Sequence, residues 1–469
     1  MSEPADRRSS EGKPRDEGAV RELARELDRL GRAGERGWLT MSAPLAPPER
    51  AFDAVPSATG VLWSRAGGGA SAGVGAAAAF EADPRTAPAG AAALHEPFGA
   101  LVSDVRPVSL DGTDPPPLRA FGGMTFFNSP KPSPLWRPLG RTLFVLPRAL
   151  YRTDGERASL SVFFDPRDAE GGSERTLRGA SDILARLARP AGGARPPRAS
   201  RAPSGSDRAR WCELVRDILT EIKEGRLEKA VLTRCLRVPL AAGSVAGPLA
   251  SRLARPRDRT VVFAIRRGGV TFLGASPERL VAVRGTRVES DALAGTAAPA
   301  SVVDAGDGPL ASEKVREEHA LVADSIRRRL APFCRSLESD ARPRLLRLEH
   351  AMHLHTPIVG GLDRPRHVLE LALALHPTPA VGGSPEREAT RWLLRHEPEP
   401  RGWFAAPFGW FDGDGNGELA VALRSGLLAE RLALVYAGAG IVAGSDPDAE
   451  YDETALKMTP FLEALGVRA

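Results

Sequence analysis

The sequence has few cysteines, few lysines and no long apolar run. Its three cysteines, Cys212, Cys235 and Cys334, are odd in number and far apart, so they predict neither a disulfide framework nor a zinc site built from paired cysteines. No stretch approaches the ~18 uninterrupted apolar residues of a membrane helix, and the first residues lack the apolar segment of a signal peptide. We therefore expect a cytoplasmic protein that does not cross a membrane.

Lysine is scarce relative to arginine. The 64 basic residues comprise six lysines and 58 arginines, and they face 59 acidic residues, which leaves a net charge of +5. This excess is small for a nucleic-acid-binding protein of 469 residues, so we expect no nucleic-acid partner. Because arginine supplies nearly all of the ordinary positive charge, a lysine inside a structured segment suggests a role that arginine cannot fill, such as losing a proton.

Composition divides the chain into four segments. Residues 1–37 are polar and predict a flexible leader with one short amphipathic helix. Residues 38–185 form a strand-rich half. Residues 186–211 carry seven arginines against one acid, which is compatible with a nucleic-acid patch, but the prolines and the lack of interleaved aromatic residues favour a solvated linker. In residues 212–466 long strands precede and interrupt the helices, which indicates an α+β fold with large antiparallel sheets.

Two stretches of the strand-rich half carry local signals. Residues 141–165 contain two alternating apolar runs separated by TDGE, a pattern that predicts a hairpin around Asp154 and Gly155. Residues 66–92 are rich in alanine and glycine, and they predict either a loop or a weak strand.

Three motifs resemble known ligand sites but are incomplete. Residues 412–417 (DGDGNG) begin like a calcium loop, yet Leu423 stands where the bidentate glutamate belongs, so a hairpin turn is the better interpretation. Residues 438–443 resemble a dinucleotide fingerprint, but too little chain follows for a Rossmann unit, and a glycine loop that binds an anion stays open. The histidines within 350–355 cannot all converge on one zinc ion, because neither helical nor strand spacing aligns the three.

The last predicted helix carries the clearest chemical pattern. Asp446 is a good N-cap and Pro447 a good first helical residue. Glu450, Glu453 and Lys457 then share one face, which suits Mg²⁺ bound by two carboxylates and a substrate carboxylate bound by the lysine. A solvated face with internal salt bridges is the alternative.

Three upstream residues are further candidates. Lys229 begins an alternating strand, and burial there would lower the pKa of its amine enough for a general base. Glu278 follows Ser-Pro at a transition between strands, and Glu318 lies at the edge of the apolar face of a helix.

Ten sequence blocks occur in order within residues 212–466: LEKAVLTR, FLGASPERL, DALAGT, SEKVREEH, MHLHTPI, HPTPAVGG, RGWFAAPFGW, VALRSG, YAGAGIV and AEYDETALK. In these blocks the chain resembles the chorismate-utilising enzyme family, and within it the isochorismate synthases. Residues 38–185 are similar only in their strand-rich character and an FGG segment. The resemblance implies a chorismate-binding α+β fold, in which a β-sandwich is flanked by helices and the site lies between its halves.

The resemblance also implies roles for individual residues. Lys229 is similar to the general base that activates water for attack at C2 of chorismate, and Glu278 to the general acid that protonates the departing C4 hydroxyl. Glu318 and Glu453 match Mg²⁺ ligands, and Glu450 matches a further ligand that acts through water. The residues that match substrate-binding positions are Gly295, Thr296, His353, Ala380, Arg424, Gly440 and Lys457.

Three positions distinguish branches of the family. Lys229 is similar to the branch that activates water, whereas the aminating branch carries glutamine there. Ala294 stands where aminodeoxychorismate synthases have a nucleophilic lysine. Ala380 resembles isochorismate synthases of the menaquinone or siderophore type, whereas salicylate synthases, the alternative, carry threonine.

Residues 297–300 (AAPA) depart from the arginine-containing stretch of relatives. The oligomeric state stays open, and a monomer is compatible with the sequence.

Overall fold

The structure is a computed structural model that describes residues 16–467 apart from short gaps. The gaps are residues 56–57, 84, 88, 128–132, 169–171, 190–196, 201–203, 205–206, 242–245, 255–259, 298–312 and 349–350. His350 and most of the AAPA stretch therefore lie outside the described residues.

Twenty described strands form the sheet, and nearly all neighbouring strands run antiparallel, β1 with β4 being the parallel pair. The strands are β1 (Arg36–Ser42), β2 (Gly60–Arg65), β3 (Ala70–Phe80), β4 (Val105–Ser109), β5 (Arg119–Met124), β6 (Thr142–Thr153), β7 (Ala158–Phe164), β8 (Lys229–Pro239), β9 (Val261–Arg267), β10 (Val270–Ser276), β11 (Arg279–Arg284), β12 (Arg287–Ala297), β13 (Cys334–Ser339), β14 (Arg344–Arg347), β15 (Met352–Leu362), β16 (Gly383–Ser384), β17 (Pro407–Asp412), β18 (Gly417–Val421), β19 (Ser425–Ala429) and β20 (Leu432–Val442).

Ten helices are described between and around these strands. They are α1 (Asp16–Ala33), α2 (Pro48–Phe52), α3 (Ala92–Val102), α4 (Ser173–Ala188), α5 (Arg208–Lys223), α6 (Gly247–Leu253), α7 (Glu313–Leu330), α8 (Val368–Leu375), α9 (Glu386–His396) and α10 (Pro447–Ala464). Within the described chain, none of them is both long and apolar enough to cross a membrane.

The strand pairing divides the sheet into two layers that are joined through β6. The first layer has the order β4-β1-β7-β6-β3-β2-β9-β10-β19-β20-β8-β16, and the second runs β5-β17-β18-β11-β12-β15, with β13 and β14 beyond β15. Strands from both halves of the chain are neighbours in each layer, since β2 pairs with β9 and β5 pairs with β17. The fold is the predicted α+β arrangement of large antiparallel sheets flanked by helices.

Two apolar cores hold the layers and helices together. Between the layers, the ring of Phe408 lies 4.8 Å from that of Phe263 and 6.4 Å from that of Trp63, centroid to centroid. The outer face of the first layer is covered by α1, α2, α4, α6 and α10. Burial of apolar area on both faces of the first layer explains why its strands are apolar almost throughout.

The segment predicted as a flexible leader is ordered from Asp16 onward. Helix α1 follows the predicted spacing, but Leu23, Leu27 and Leu30 are fully buried against the first layer, and β1 starts at Arg36. The flexible interpretation is therefore wrong for residues 16–37, because the apolar stripe of α1 finds a partner in the core.

The structure confirms two local predictions and decides between alternatives at two further places. Strands β6 and β7 form the predicted hairpin, and residues 412–417 turn the hairpin between β17 and β18. Of the loop and the weak strand predicted for the alanine-rich stretch, the strand is present as β3, which has 11 residues. Residues 438–442 belong to strand β20, so the open possibility of a glycine loop is not realised there. All three cysteines are free.

Candidate active site

A cleft of about 1050 Å³, open to solvent, is lined by parts of β8, β12, β15, β20, α7 and α10 and by the turns that precede or follow neighbouring strands. It brings together eleven of the twelve residues singled out in the sequence. The twelfth, Lys229, lies directly behind the lining residues Glu318 and Gly440. Residues separated by more than 200 positions in the chain thus meet at one place.

Lys229 is the first residue of β8, and its side chain is almost completely buried. Its Nζ donates a hydrogen bond to Glu318 Oε1 at 2.7 Å. The predicted alternation is confirmed, since Val231 and Thr233 line the cleft on the same strand.

Gly440 makes room for that ion pair. A Cβ atom at this position would lie 2.8 Å from both Glu318 Oε1 and Lys229 Cε, so a larger residue would displace the lysine or the glutamate. Gly440 is opposite Val231, whose N–H donates to Gly382 and not to β20. Gly440 and Val231 therefore form a non-hydrogen-bonded pair across the two strands. As a consequence, the Gly440 N–H points away from β8, to the open edge of β20 and toward the cleft.

Glu318 reaches the cleft because α7 packs its apolar face on the second layer. Val322, Ile326 and Leu330 on that face are buried where α7 packs on β12 and α8, and Glu318 lies one turn before Val322. The position at the edge of the apolar face, which the sequence suggested, places the carboxylate at the boundary between core and cleft.

Helix α10 begins as predicted, with Asp446 Oδ1 accepting a hydrogen bond from the N–H of Ala449 at 2.8 Å. Glu450 is 7% exposed, whereas Lys457 donates to Glu453 Oε1 at 2.6 Å and to the Gly438 carbonyl at 2.9 Å. The helix face therefore contains a salt bridge and also lines the cleft, and Mg²⁺ binding by its carboxylates stays a prediction.

Glu278 is the most unusual acid of the cleft. It lies between β10 and β11, is 3% exposed, and its Oε1 has no hydrogen-bond partner among the described residues. Burial, with the nearby charge of Asp291, raises the pKa of Glu278 to about 8, against the opposing charges of Lys229 and Lys457. At neutral pH this carboxyl group is mostly protonated.

Backbone contacts fix the position of Glu278. Its N–H donates to Ser276 Oγ at 3.2 Å, and its carbonyl accepts from the N–H of Val421 at 3.0 Å. Ser276 Oγ in turn donates to the Val421 carbonyl at 2.5 Å. These bonds connect the end of β10 to β18, so the acid is held by both layers.

Asp291 on β12 was not identified from the sequence. Burial opposes its ionisation, but a hydrogen bond from His355 Nε2 at 2.9 Å and the charge of Arg279 hold the pKa of Asp291 below its ordinary value. Asp291 is therefore ionised at neutral pH and places a negative charge near Glu278. Its partner His355 belongs to the histidine cluster, and this contact is the role that the structure shows for it.

His353 holds Arg424 in place. His353 Nδ1 lies 2.9 Å from the carbonyl oxygen of Gly295, so it must carry the proton, and Nε2 accepts from Arg424 Nη2 at 3.1 Å. Burial and the charge of Arg424 lower the pKa of His353 to about 3, which keeps the imidazole neutral. Thr296 Oγ1 lies 3.4 Å from the same Nδ1.

Two residues that line the cleft, Ala405 and Arg424, have left-handed backbones, with φ of 60° and 49°. This backbone conformation costs free energy in a non-glycine residue, which keeps it only where the surrounding structure enforces it. Strain of this kind at two cleft residues is typical of a functional site, and no sequence pattern indicates it.

Arg401 is a second residue that the sequence did not single out. Its guanidinium is 2% exposed and donates to the carbonyls of Val381 and Val231 and to the carboxylate of Glu397. Arg401 thus joins β8, which carries Lys229, to the turn before β16. Its position as the first residue of the RGWFAAPFGW block is the sequence feature that could have indicated its importance.

The carboxylates of Glu318, Glu450 and Glu453 provide the hard oxygen donors that Mg²⁺ prefers. Among the described residues, no group of three or more possible ligands is already arranged around one point. This is compatible with Mg²⁺, which is usually held by one or two carboxylates and completes its coordination with water and substrate oxygens. Because Glu318 and Glu453 each accept a hydrogen bond from a lysine, those ion pairs would have to open for a cation to bind.

Comparison with known sequences identifies a matching family and several relatives. Residues 32–466 match the family described as chorismate binding enzyme. A Pseudomonas aeruginosa protein named salicylate biosynthesis isochorismate synthase is 43% identical over 267 residues, 56% of each chain. The isochorismate synthase MenF of Bacillus subtilis is 34% identical over 353 residues, 74% of each chain. The match therefore spans little more than half of the first relative and about three quarters of the second.

Solved structures with the same fold include two that cover nearly the whole chain. The menaquinone-specific isochorismate synthase MenF from Escherichia coli superimposes with a TM-score of 0.71 at 25% identity, over 95% of this chain and 100% of that one. A putative 2,3-dihydroxybenzoate-specific isochorismate synthase from Bacillus anthracis has a TM-score of 0.67, also at 25% identity, over 90% and 100%.

Proposed function

Since the chain belongs to the chorismate-binding enzyme family, we propose that it is an isomerase, an isochorismate synthase that interconverts chorismate and isochorismate. The main support is one observation: a buried, protonated carboxyl group lines the cleft, and a buried lysine lies directly behind the lining residues Glu318 and Gly440. This is the pair that the addition of water at one ring carbon and the loss of a hydroxyl at another require.

The reaction balances with these two groups. Lys229, in its neutral form, takes a proton from water as the oxygen bonds to C2. The ring double bonds shift, the C4–O bond breaks, and Glu278 gives its proton to the departing hydroxyl, which leaves as water. In the reverse direction the ionised Glu278 takes the proton from water and the ammonium of Lys229 returns one.

The two carboxylates of chorismate find cationic and N–H donors in the cleft. Arg424 is held in a fixed direction by His353, and Lys457 is held by its hydrogen bond to the Gly438 carbonyl. The Gly440 N–H faces the open edge of β20. We assign these three groups to carboxylate binding, because a dianion needs fixed donors to be bound in one orientation.

Mg²⁺ is the proposed cofactor, with Glu318 and Glu453 as ligands and Glu450 acting through water. When bound, the ion would neutralise a substrate carboxylate and orient the ring. When the ion is not bound, Lys229 and Lys457 balance the negative charges of Glu318 and Glu453.

A salicylate synthase is the alternative within the family, since such enzymes also form isochorismate and then eliminate pyruvate. Ala380 argues against it, because this residue lines the cleft with a methyl group where a hydroxyl would be needed for hydrogen bonding. The P. aeruginosa relative carries the words salicylate biosynthesis in its name, but it is named as an isochorismate synthase.

A product assay separates these functions. Purified protein is incubated with chorismate and Mg²⁺, and isochorismate, salicylate and pyruvate are measured. Isochorismate without pyruvate is the expected result. Pyruvate and salicylate in equal amounts would favour the alternative, and unchanged chorismate would refute both. Supply of isochorismate to menaquinone or siderophore synthesis, in the cytoplasm, stays a prediction.

A further inference from the structure

A second cleft lies away from the catalytic one and is dominated by arginine. It is lined by the turn between β2 and β3, the turn between β6 and β7, and parts of β5, β11, β17 and β18, and its empty space is about 900 Å³. It shares no lining residue with the catalytic cleft. We call it the arginine cleft, after its lining residues Arg65, Arg119, Arg152, Arg157 and Arg284.

The two acids of this cleft do not balance its five cations. Glu418 contacts Arg65 and lies 3.6 Å from Arg284 and 3.8 Å from Arg279. Asp154 accepts the backbone N–H groups of Glu156 and Arg157 at 2.9 and 2.7 Å, so it caps its own turn. These carboxylates already have partners.

Three of the arginines form no ion pair in the part of the chain that the structure describes: Arg119, Arg152 and Arg157. The charge of Asp412 acts on Arg119, and that of Asp154 acts on Arg152 and Arg157, but neither carboxylate forms a direct pair with them. The Nε of Arg119 is buried and has no hydrogen-bond acceptor among the described residues. Elsewhere in this arginine-rich chain, buried guanidiniums such as that of Arg401 have several acceptors.

Two of the arginines are held in the cleft by stacking on an aromatic ring, so their side chains do not turn away into solvent. The Cζ atoms of Arg119 and Arg284 lie 3.7 and 4.8 Å from the ring centroid of Trp410, which is 3% exposed. Stacking of this kind fixes a guanidinium plane. Arg284 also donates to the carbonyls of Val283 and Gly417, whereas Arg119 has no such bond among the described residues. Burial and the charges of Arg152 and Arg284 lower the pKa of Arg119 to about 9, against the opposing charge of Asp412.

We propose that the arginine cleft is a binding site for a small oxyanion, a molecule that carries phosphate or carboxylate groups. Guanidinium forks bind both groups through paired hydrogen bonds, and an anion would supply the acceptors and the negative charge that the cleft lacks. The hydroxyl groups of Ser71, Thr113 and Ser159 line the same space and offer further donors. This site is independent of the proposed catalytic function.

Isothermal titration calorimetry of the full chain against inorganic phosphate, pyrophosphate and citrate, at constant ionic strength, tests the proposal. We expect saturable binding that weakens with added salt. Arg119→Gln and Arg152→Gln should each weaken it by about tenfold, because each removes charge-assisted hydrogen bonds. Arg178→Gln on helix α4, an exposed arginine outside the cleft, is the matched control and should leave binding unchanged.

The outcomes are distinguishable. Binding of phosphate and pyrophosphate but not citrate identifies a phosphate site, the reverse identifies a carboxylate site, and binding of all three a general oxyanion site. No saturable binding, or binding that both variants leave intact, overturns the proposal. Chorismate turnover and circular dichroism of each variant verify folding, and Arg157→Gln, an exposed position, replaces Arg119→Gln if that variant does not fold.

Discussion

The catalytic cleft contains ionisable groups in two different environments. Lys229 and Lys457 each donate a hydrogen bond to a glutamate. Glu278, in contrast, is buried, its Oε1 has no partner among the described residues, and the charge of Asp291 lies nearby, so it keeps its proton at neutral pH. The difference shows that a carboxylate with a cationic partner and a carboxyl group without one can belong to the same cleft, because desolvation without a partner favours the neutral form of the acid.

Of the changes to the two environments, replacement of Lys229 should have the largest effect on activity. Lys229→Ala should abolish isochorismate formation, a loss of at least about 10²- to 10⁴-fold, because it removes the proposed general base. The rate of chorismate consumption and the melting temperature are measured together. Lys223→Ala, an exposed lysine on α5, is the control, and a Lys229→Ala enzyme with normal turnover would remove this residue as the base.

Replacement of the buried acid tests the other environment. Glu278→Gln keeps the shape of the side chain but cannot donate the carboxyl proton, so we expect turnover to fall by about 10²- to 10⁴-fold in both directions of the reaction. Substrate affinity should change much less, which a binding measurement would establish. Glu338→Gln, at an exposed strand position, should behave as the unmodified protein; equal activity of both variants would contradict the assignment.

A smaller effect is expected from the acid paired with Lys457. Glu453→Gln should raise the Mg²⁺ concentration for half-maximal activity by at least about tenfold, because one of the proposed ligands becomes a neutral amide. The measurement is activity against Mg²⁺ concentration. Asp452→Asn, the neighbouring acid on the same helix, is the matched control, and unchanged metal dependence in Glu453→Gln would place the ligand elsewhere.

The pH profile gives the smallest and most specific test. Since Glu278 must be protonated to act as the acid, activity should be retained below its pKa of about 8 and fall as the pH rises through that value. Asp291→Asn removes the negative neighbour, so it should lower that pKa and move the alkaline limb to lower pH by up to about one unit. A limb that stays in place would show that burial alone keeps Glu278 protonated.

Much of the framework was predictable because it depends on local pattern. The hairpin of β6 and β7 follows from two apolar runs around a turn sequence, and the start of α10 follows from Asp446 and Pro447. Strand β3 was only one of two alternatives, since alanine and glycine have little strand preference. It is formed by pairing with β2 on one side and β6 on the other. Helix α1 was underestimated for the same reason: only the packed core shows that its leucines are covered.

By itself, the sequence determined the family, the chemical types of the site residues and their order in the chain, because those properties reside in contiguous blocks. Only the tertiary structure decided that Glu278 is protonated, that Lys229 is paired with Glu318, that His353 orients Arg424, and that five arginines share one cleft. The physical reason is that proton affinity and side-chain direction depend on desolvation and on charges contributed by distant segments. These exist only once the two layers have packed.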